Sequence, residues 1–91
     1  MRFEWDDRKA AYNFRKHRVS FEVASTVFAG SLALSFDDPD HSADEQRLIS
    51  IGESDQGRVL FVSHTDRNDT TRIISARVAT RRERQEYESE R

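Results

Sequence analysis

RVLFVSHTDRNDTTRIISARVATRRE, residues 58–83, is the stretch that decides the fold. Apolar and β-branched runs around Val59-Leu60-Phe61-Val62 and Ile73-Ile74 predict two strands, over about 58–65 and 71–77. Thr80-Arg81-Arg82-Glu83 then forms a capping box, in which hydroxyl and carboxylate satisfy each other's backbone donors, so a last helix runs to about Ser89. Upstream, Asp55-Gln56-Gly57 reads as a tight hairpin loop with Gly57 left-handed, preceded by strands over about 32–36 and 47–53. Consecutive strands with short loops imply an antiparallel meander. At the other end, Phe3-Glu4-Trp5 reads as a short strand, and Asp6 or Asp7 caps a helix to about His17 with Ala10, Ala11, Phe14 and His17 on one face. Ser20 caps a second short helix, with Glu22 in its first turn, Phe21, Ala24 and Phe28 as its buried stripe and Gly30 as its stop. The expected class is α+β in the order βααββββα: an antiparallel sheet, two N-terminal helices and one C-terminal helix, all packed on one face. Residues 1–91 read as a single domain, with 88–91 expected to fray.

Composition narrows the function classes. Only 20 of the 91 residues are Leu, Ile, Val or Phe, so the core is thin. A domain of this size buries only about 60–65% of its unfolded surface, and a partner that covers more apolar area would add stability. The absence of Cys excludes a disulfide framework and any thiolate metal site. The longest aliphatic or aromatic run, Val59 to Val62, is too short for a signal sequence or a membrane span, so a cytoplasmic protein is expected. The net charge of −2 hides blocks: residues 1–36 carry +2, 37–57 carry −6 and 58–91 carry +2. Thirteen of the 15 basic residues are Arg, whose planar fork suits phosphate or carboxylate. The acidic segment 37–45 tempts a calcium reading. With Asp38 as position one, however, Ala43 stands where the turn Gly belongs and Ile49 where the bidentate Glu belongs, so it reads as a solvated loop. Nothing has the spacing of a zinc site, a Walker loop or a nucleophile elbow.

Phe3-Glu4-Trp5-Asp6, Lys9, Asn13 and Lys16-His17 leading into Val19-Ser20-Phe21 carry a family resemblance. It continues through Arg47, Ile51-Gly52-Glu53, Gly57-Arg58-Val59-Leu60, Arg72-Ile73-Ile74-Ser75-Ala76-Arg77, and Glu83-Arg84 with Tyr87. Together these residues resemble the BrnT toxins, from Phe3 to Tyr87. The resemblance implies a RelE-like fold, a metal-independent ribonuclease that needs no cofactor and arrests translation, and a BrnA-like antitoxin with a ribbon-helix-helix part. Operator DNA would be met only through that antitoxin. One departure is Arg18, where the family usually has Gly; a left-handed backbone there would cost about 1 kcal/mol.

Cleaving RNA through its own 2′-hydroxyl needs a base, donors that stabilise charge on phosphorus, and an acid for the leaving 5′-oxygen. Arg can only be the stabiliser, because it is not deprotonated in proteins. Arg77, closing the last strand before the capped helix, is the first choice, against the plainer reading of an ion pair with a surface carboxylate. Alternation puts Arg47, Ile49, Ile51 and Glu53 on one face of their strand, which makes Glu53 a base or an orienter of an Arg, and Arg47 a phosphate ligand. Tyr87 reads first as the anchor of the last helix; the RelE-like resemblance adds a role as acid or stacking platform. His17 extends its helix stripe and is either a hydrogen-bonded histidine or a proton-transfer group, and His64 is similar. Arg58, Arg72, Arg81 and Arg82 suit RNA backbone binding, while Arg82 with Glu86 and Arg84 with Glu88 also read as i,i+4 pairs. The rival readings are a non-catalytic toxin-like subunit that binds an antitoxin and tunes its DNA affinity, and a direct nucleic-acid-binding module.

Overall fold

The computed structural model describes residues 1–30, 32–41 and 46–90. The elements are β1 (Arg2–Glu4), α1 (Asp7–His17), α2 (Phe21–Ser25) continuing into a 3₁₀ turn (Thr26–Ala29), and β2 (Leu34–Asp37) followed by a 3₁₀ turn (Pro39–His41). Then come β3 (Arg47–Glu53), β4 (Val59–Arg67), β5 (Thr70–Val78) and α3 (Arg81–Ser89). This is the βααββββα order. The strands lie in the order β1-β5-β4-β3-β2. From β2 to β5 they form the antiparallel meander, but β1 joins β5 in parallel and makes the sheet mixed. The reason is the connection: after β1 the chain crosses through two helices to the far edge, and the meander returns β5 alongside β1.

The helices occupy both faces of the sheet, which corrects the one-face expectation. Val19, Phe21, Ala24 and Val27 pack on Leu60, Val62, Ile73 and Ala76, with Phe3 and Trp5 closing over them. Tyr87 of α3 packs instead with Ile49 and Ile51, flanked by Leu34, Val59 and Phe61. The run Val59-Leu60-Phe61-Val62 is apolar on successive residues, so both sides of β4 need cover. Gly52 permits close packing on the α1/α2 side: a Cβ there would lie 2.8 Å from Val27 Cγ1.

Local signals set the boundaries. Asp6 Oδ1 accepts the Arg8 and Lys9 N–H groups at 2.8 and 3.1 Å and starts α1. Arg18 ends the helix in the left-handed region, φ 58°, its N–H donating to the Phe14 carbonyl at 2.9 Å. The buried side of α1 is Ala10, Asn13 and His17, not the expected stripe: Ala11 points out and Phe14 is 45% exposed. Asn13 causes that rotation. Its Nδ2 donates to the Val19 and Ala76 carbonyls at 2.9 and 2.8 Å, and its Oδ1 accepts the Ala76 N–H at 3.0 Å. Beyond Arg72 β1 has ended, and this amide stands in for the missing strand. Gly57 turns the β3–β4 hairpin at φ 80°. No helix among the described residues is long and apolar enough to cross a membrane.

Candidate active site

Strand alternation sorts the polar residues between two faces. The register shifts between Ser63 and His64: Ser63 faces Ser75 while His64 faces Ile73, so Ile74 is an extra residue in β5. That bulge lets Arg72 and Arg77, five positions apart, share the α3 side. Arg77 stands opposite Phe61, which stands opposite Ile51; Arg72 stands opposite Thr65, which stands opposite Arg47. Arg67 follows Thr65 by two and lies on the same side. One side of the sheet is thus covered by α3 at one end and carries arginines from three strands.

At the α3 end, the Arg77 guanidinium lies 4.1 Å above the centre of the Phe61 ring. Its Nη1 and Nη2 donate to Glu83 Oε1 and Oε2 at 2.8 and 3.0 Å, a bidentate pair. Glu83 is fixed in turn, because Oε1 also accepts the Thr80 N–H at 2.9 Å and the Glu83 N–H donates to Thr80 Oγ1 at 3.2 Å. The Arg77 bonds, aided by the Thr80 N–H, hold the Glu83 carboxyl below the usual Glu value against the opposing effect of burial. Glu83 is therefore an anion and not a proton donor at neutral pH. Arg77 does have the carboxylate partner that the plainer sequence reading allowed.

Glu53, exposed at the end of β3, lines a cavity of about 270 Å³ together with Tyr87, Val27, Gly30, Leu32 and Ala33. The structure so brings Glu53 to Tyr87, which is itself only 3% exposed and anchors α3. It does not bring Arg47 to Glu53, since six residues of strand put them about 20 Å apart. Arg47 belongs instead to the row with Thr65 and Arg72, where Arg72 Nη1 pairs with Glu4 Oε2 at 2.8 Å. That end holds a second cavity, about 240 Å³, lined by Glu4, Thr65, Arg67, Thr70 and Arg72. Arg58 sits in the hairpin, its carbonyl accepting the Ser54 N–H at 2.8 Å. Arg81 and Arg82 are exposed in the first turn of α3, and the pairs Arg82–Glu86 (3.6 Å) and Arg84–Glu88 (3.8 Å) both form. His17 lies in the last turn of α1, which packs along β5 on the opposite face, away from Glu53 and Tyr87.

Asp37 ends β2 and Asp38 and Asp40 follow it at the sheet edge, with β3 and β4 between them and the arginines of β5. Within it Asp37 accepts a hydrogen bond from Gln46 at 2.6 Å. Residues 42–45, which include Ala43, lie outside the described residues. Among the described residues no group of three or more His, Asp or Glu is placed to hold a metal ion.

The α1/α2 side carries a polar chain that the sequence did not reveal. Ser35 Oγ bonds Ser50 Oγ at 2.7 Å, Ser50 Oγ bonds His64 Nε2 at 2.8 Å, and His64 Nδ1 bonds Asp66 Oδ1 at 2.9 Å. The order imitates a serine nucleophile with its base and orienter. Ser50 has no exposed surface, however, and the Phe28 ring covers His64 at 4.9 Å, so no substrate reaches the hydroxyl. The chain satisfies buried polar groups.

A family model described as "Ribonuclease toxin, BrnT, of type II toxin-antitoxin system" matches residues 5–83. The chain belongs to the BrnT family. The crystal structure of the Brucella abortus ribonuclease toxin BrnT superposes with a TM-score of 0.69 at 24% identity, covering 89% of this chain and 99% of that one. At that identity the likeness speaks for the shared fold. No curated protein matches the chain. BrnT membership makes this a ribonuclease toxin of a type II system, and such a toxin has an antitoxin as its partner.

Proposed function

We propose that the chain is a metal-independent endoribonuclease that cuts RNA by attack of the 2′-hydroxyl on the adjacent phosphorus. The P–O5′ bond breaks, leaving a 2′,3′-cyclic phosphate and a 5′-hydroxyl. Arg77 stabilises the charge that grows on the phosphoryl oxygens. Glu53 accepts the 2′-hydroxyl proton, Tyr87 holds α3 in place beside it, and the leaving oxygen takes its proton from solvent. His17, on the other side of β5, has no step in this scheme. Arg47 and Arg72 bind backbone phosphates, with Arg58, Arg81 and Arg82 extending the track at the rim, so they position RNA without reading its sequence. Loss of RNA arrests translation in the cytoplasm. A BrnA-like ribbon-helix-helix antitoxin silences the site and carries the toxin to operator DNA.

The observation that supports this most is the Arg77 guanidinium, held over the Phe61 ring on the sheet side where Arg47, Arg67 and Arg72 also lie. The test compares wild type with Arg77→Ala for growth arrest without antitoxin and for cleavage of a purified RNA, at matched soluble protein and thermal stability. Loss of one such donor is expected to lower cleavage about 10²–10³-fold. An equally active Arg77→Ala would remove Arg77 from the site. A folded wild type that neither arrests growth nor cuts RNA would establish the non-catalytic subunit, in which the bidentate Arg77–Glu83 pair serves only structure.

A further inference from the structure

A guanidinium has two hydrogen-bonding edges: the tip, formed by Nη1 and Nη2, and the side, formed by Nε and the remaining proton of Nη2. In Arg77 the tip is taken by Glu83, and the guanidinium carbon sits over the Phe61 ring, 4.1 Å from its centre. The Nε edge makes no hydrogen bond among the described residues, and the side chain is 34% exposed. Arg77 can therefore hold Glu83 by its tip and a phosphate by its side at once. We propose that Glu83 is a positioning residue for RNA cleavage: its carboxylate grips the tip of Arg77 and, with Phe61 beneath, presents the Nε edge to the scissile phosphate. This rests on Arg77 being the phosphate-stabilising group.

Glu83 is suited to that task because it is tied down itself. Its Oε1 accepts from both Arg77 and the backbone N–H of Thr80, a donor that any non-proline residue at that position keeps, so the guanidinium is referenced to the start of α3 and not only to its flexible stem. A long side chain on the last residues of a strand otherwise samples many rotamers, and misplacing a reacting group by about 1 Å can cost 10²-fold. Two other roles for Glu83 are distinct in their consequences. As a helix cap alone, it would matter only through the stability of α3. As an occluding counter-ion, it would compete with phosphate.

Three single variants and one double variant separate these roles, read by kcat and KM on a defined oligoribonucleotide alongside thermal stability. Thr80→Ala breaks the cap bond to the Glu83 N–H but leaves Glu83 on Arg77. Glu83→Gln keeps an oxygen for the Thr80 N–H but removes the charge and the second acceptor. The expected result is a fall in kcat on the order of 10- to 100-fold for Glu83→Gln with a smaller change in KM. Thr80→Ala should keep kcat within about twofold, because an exposed cap serves helix stability and not the aim of Arg77. Adding Glu83→Gln to Arg77→Ala should lower activity no further, as two residues acting as a unit are not additive. In the free protein, the Glu83 bonds should slow rotation about the Arg77 Cζ–Nη bonds, so that resolved Nη–H resonances are expected in wild type and Thr80→Ala and averaged ones in Glu83→Gln. Equal losses in Thr80→Ala and Glu83→Gln that track stability would overturn the proposal in favour of a cap. A faster Glu83→Gln enzyme would overturn it in favour of occlusion. Unchanged Arg77 Nη–H resonances in Glu83→Gln would overturn it whatever the activity. If Arg77→Ala itself keeps wild-type activity, the fault lies with the assignment of Arg77, and Glu83 falls with it.

Discussion

The two faces of the sheet use polar side chains in opposite ways. On the α1/α2 side Asn13, Ser50 and His64 are buried and turned inward: the amide completes the edge of β5, and Ser50 and His64 bond to each other and outward to Ser35 and Asp66. On the α3 side the buried apolar cluster is small, Ile49, Ile51 and Tyr87; its buried polar groups are the short hydroxyls of Ser63 and Thr65, and the arginines of β3, β4 and β5 lie beside them partly or fully exposed. A buried polar group without its partner costs about 1–3 kcal/mol, whereas an exposed one exchanges its partner for water at little cost. On the proposed function, stability and RNA chemistry fall on separate faces, and substitutions should separate them too: one face should fail by unfolding, the other by losing catalysis while folded.

The largest break is expected at Asn13. Asn13→Ala leaves the Ala76 N–H and the Ala76 and Val19 carbonyls without their partner. Water can reach some of these groups once the side chain is gone, so the expected loss is about 3 kcal/mol, seen as a lower urea midpoint at unchanged m-value. Cleavage per folded molecule should stay at the wild-type level. A variant of full stability and no activity would dissolve the division between the faces. Ser50→Ala is expected to cost less, about 1–2 kcal/mol, because it leaves one ring nitrogen of His64 and the exposed Ser35 hydroxyl to adjust. It also tests the chemistry on this side. If Ser50 were a nucleophile, its removal would abolish cleavage; as a buried bond it should leave the rate unchanged in a gel assay of RNA decay at matched folded protein.

How far a residue's role is legible in the sequence depends on the range of the interaction it makes. Asp6, Thr80 with Glu83, and Gly57 act on neighbours within a few positions, and each fixes its element where the sequence puts it. The continuous apolar run at Val59–Val62 also carries the two-faced burial, although an expectation of one covered face overlooks it. Asn13 is hidden because a helix stripe is read by its apolar members, and the residue that sets the rotation of α1 is polar, with a partner 63 positions away. Alternation places Arg47 and Glu53 on one side of β3, but it does not measure the length of strand that keeps them from sharing a site. The pairing of Arg77 with Phe61 depends on the bulge at Ile74, and its grip by Glu83 depends on the angle at which α3 leaves β5. Neither is a local property. Glu83 is legible as a cap; its second use needs the fold.

The smallest effect is expected at Arg18, where the fold pays a visible cost. Its backbone lies at φ 58°, ψ 31°, a conformation in which a Cβ costs roughly 1–2 kcal/mol and glycine costs nothing. Against that, Arg18→Gly loosens the unfolded chain by about 0.5–1 kcal/mol and gives up the guanidinium that lies 5.7 Å from the centre of the Phe14 ring. The C-cap bond from the residue 18 N–H to the Phe14 carbonyl is kept by either residue. The balance favours glycine by about 0.5 kcal/mol, a rise of about two to four degrees in Tm for a chain of this size. Arg18→Ala isolates the two contributions, since it keeps the strained Cβ and removes only the guanidinium; it should be slightly less stable than wild type. If Ala stabilised as much as Gly, the gain would come from losing the charge and not from relieving the backbone. Because Arg18 follows α1 on the face that carries stability, both variants should move the melting curve and leave cleavage per folded molecule where it was.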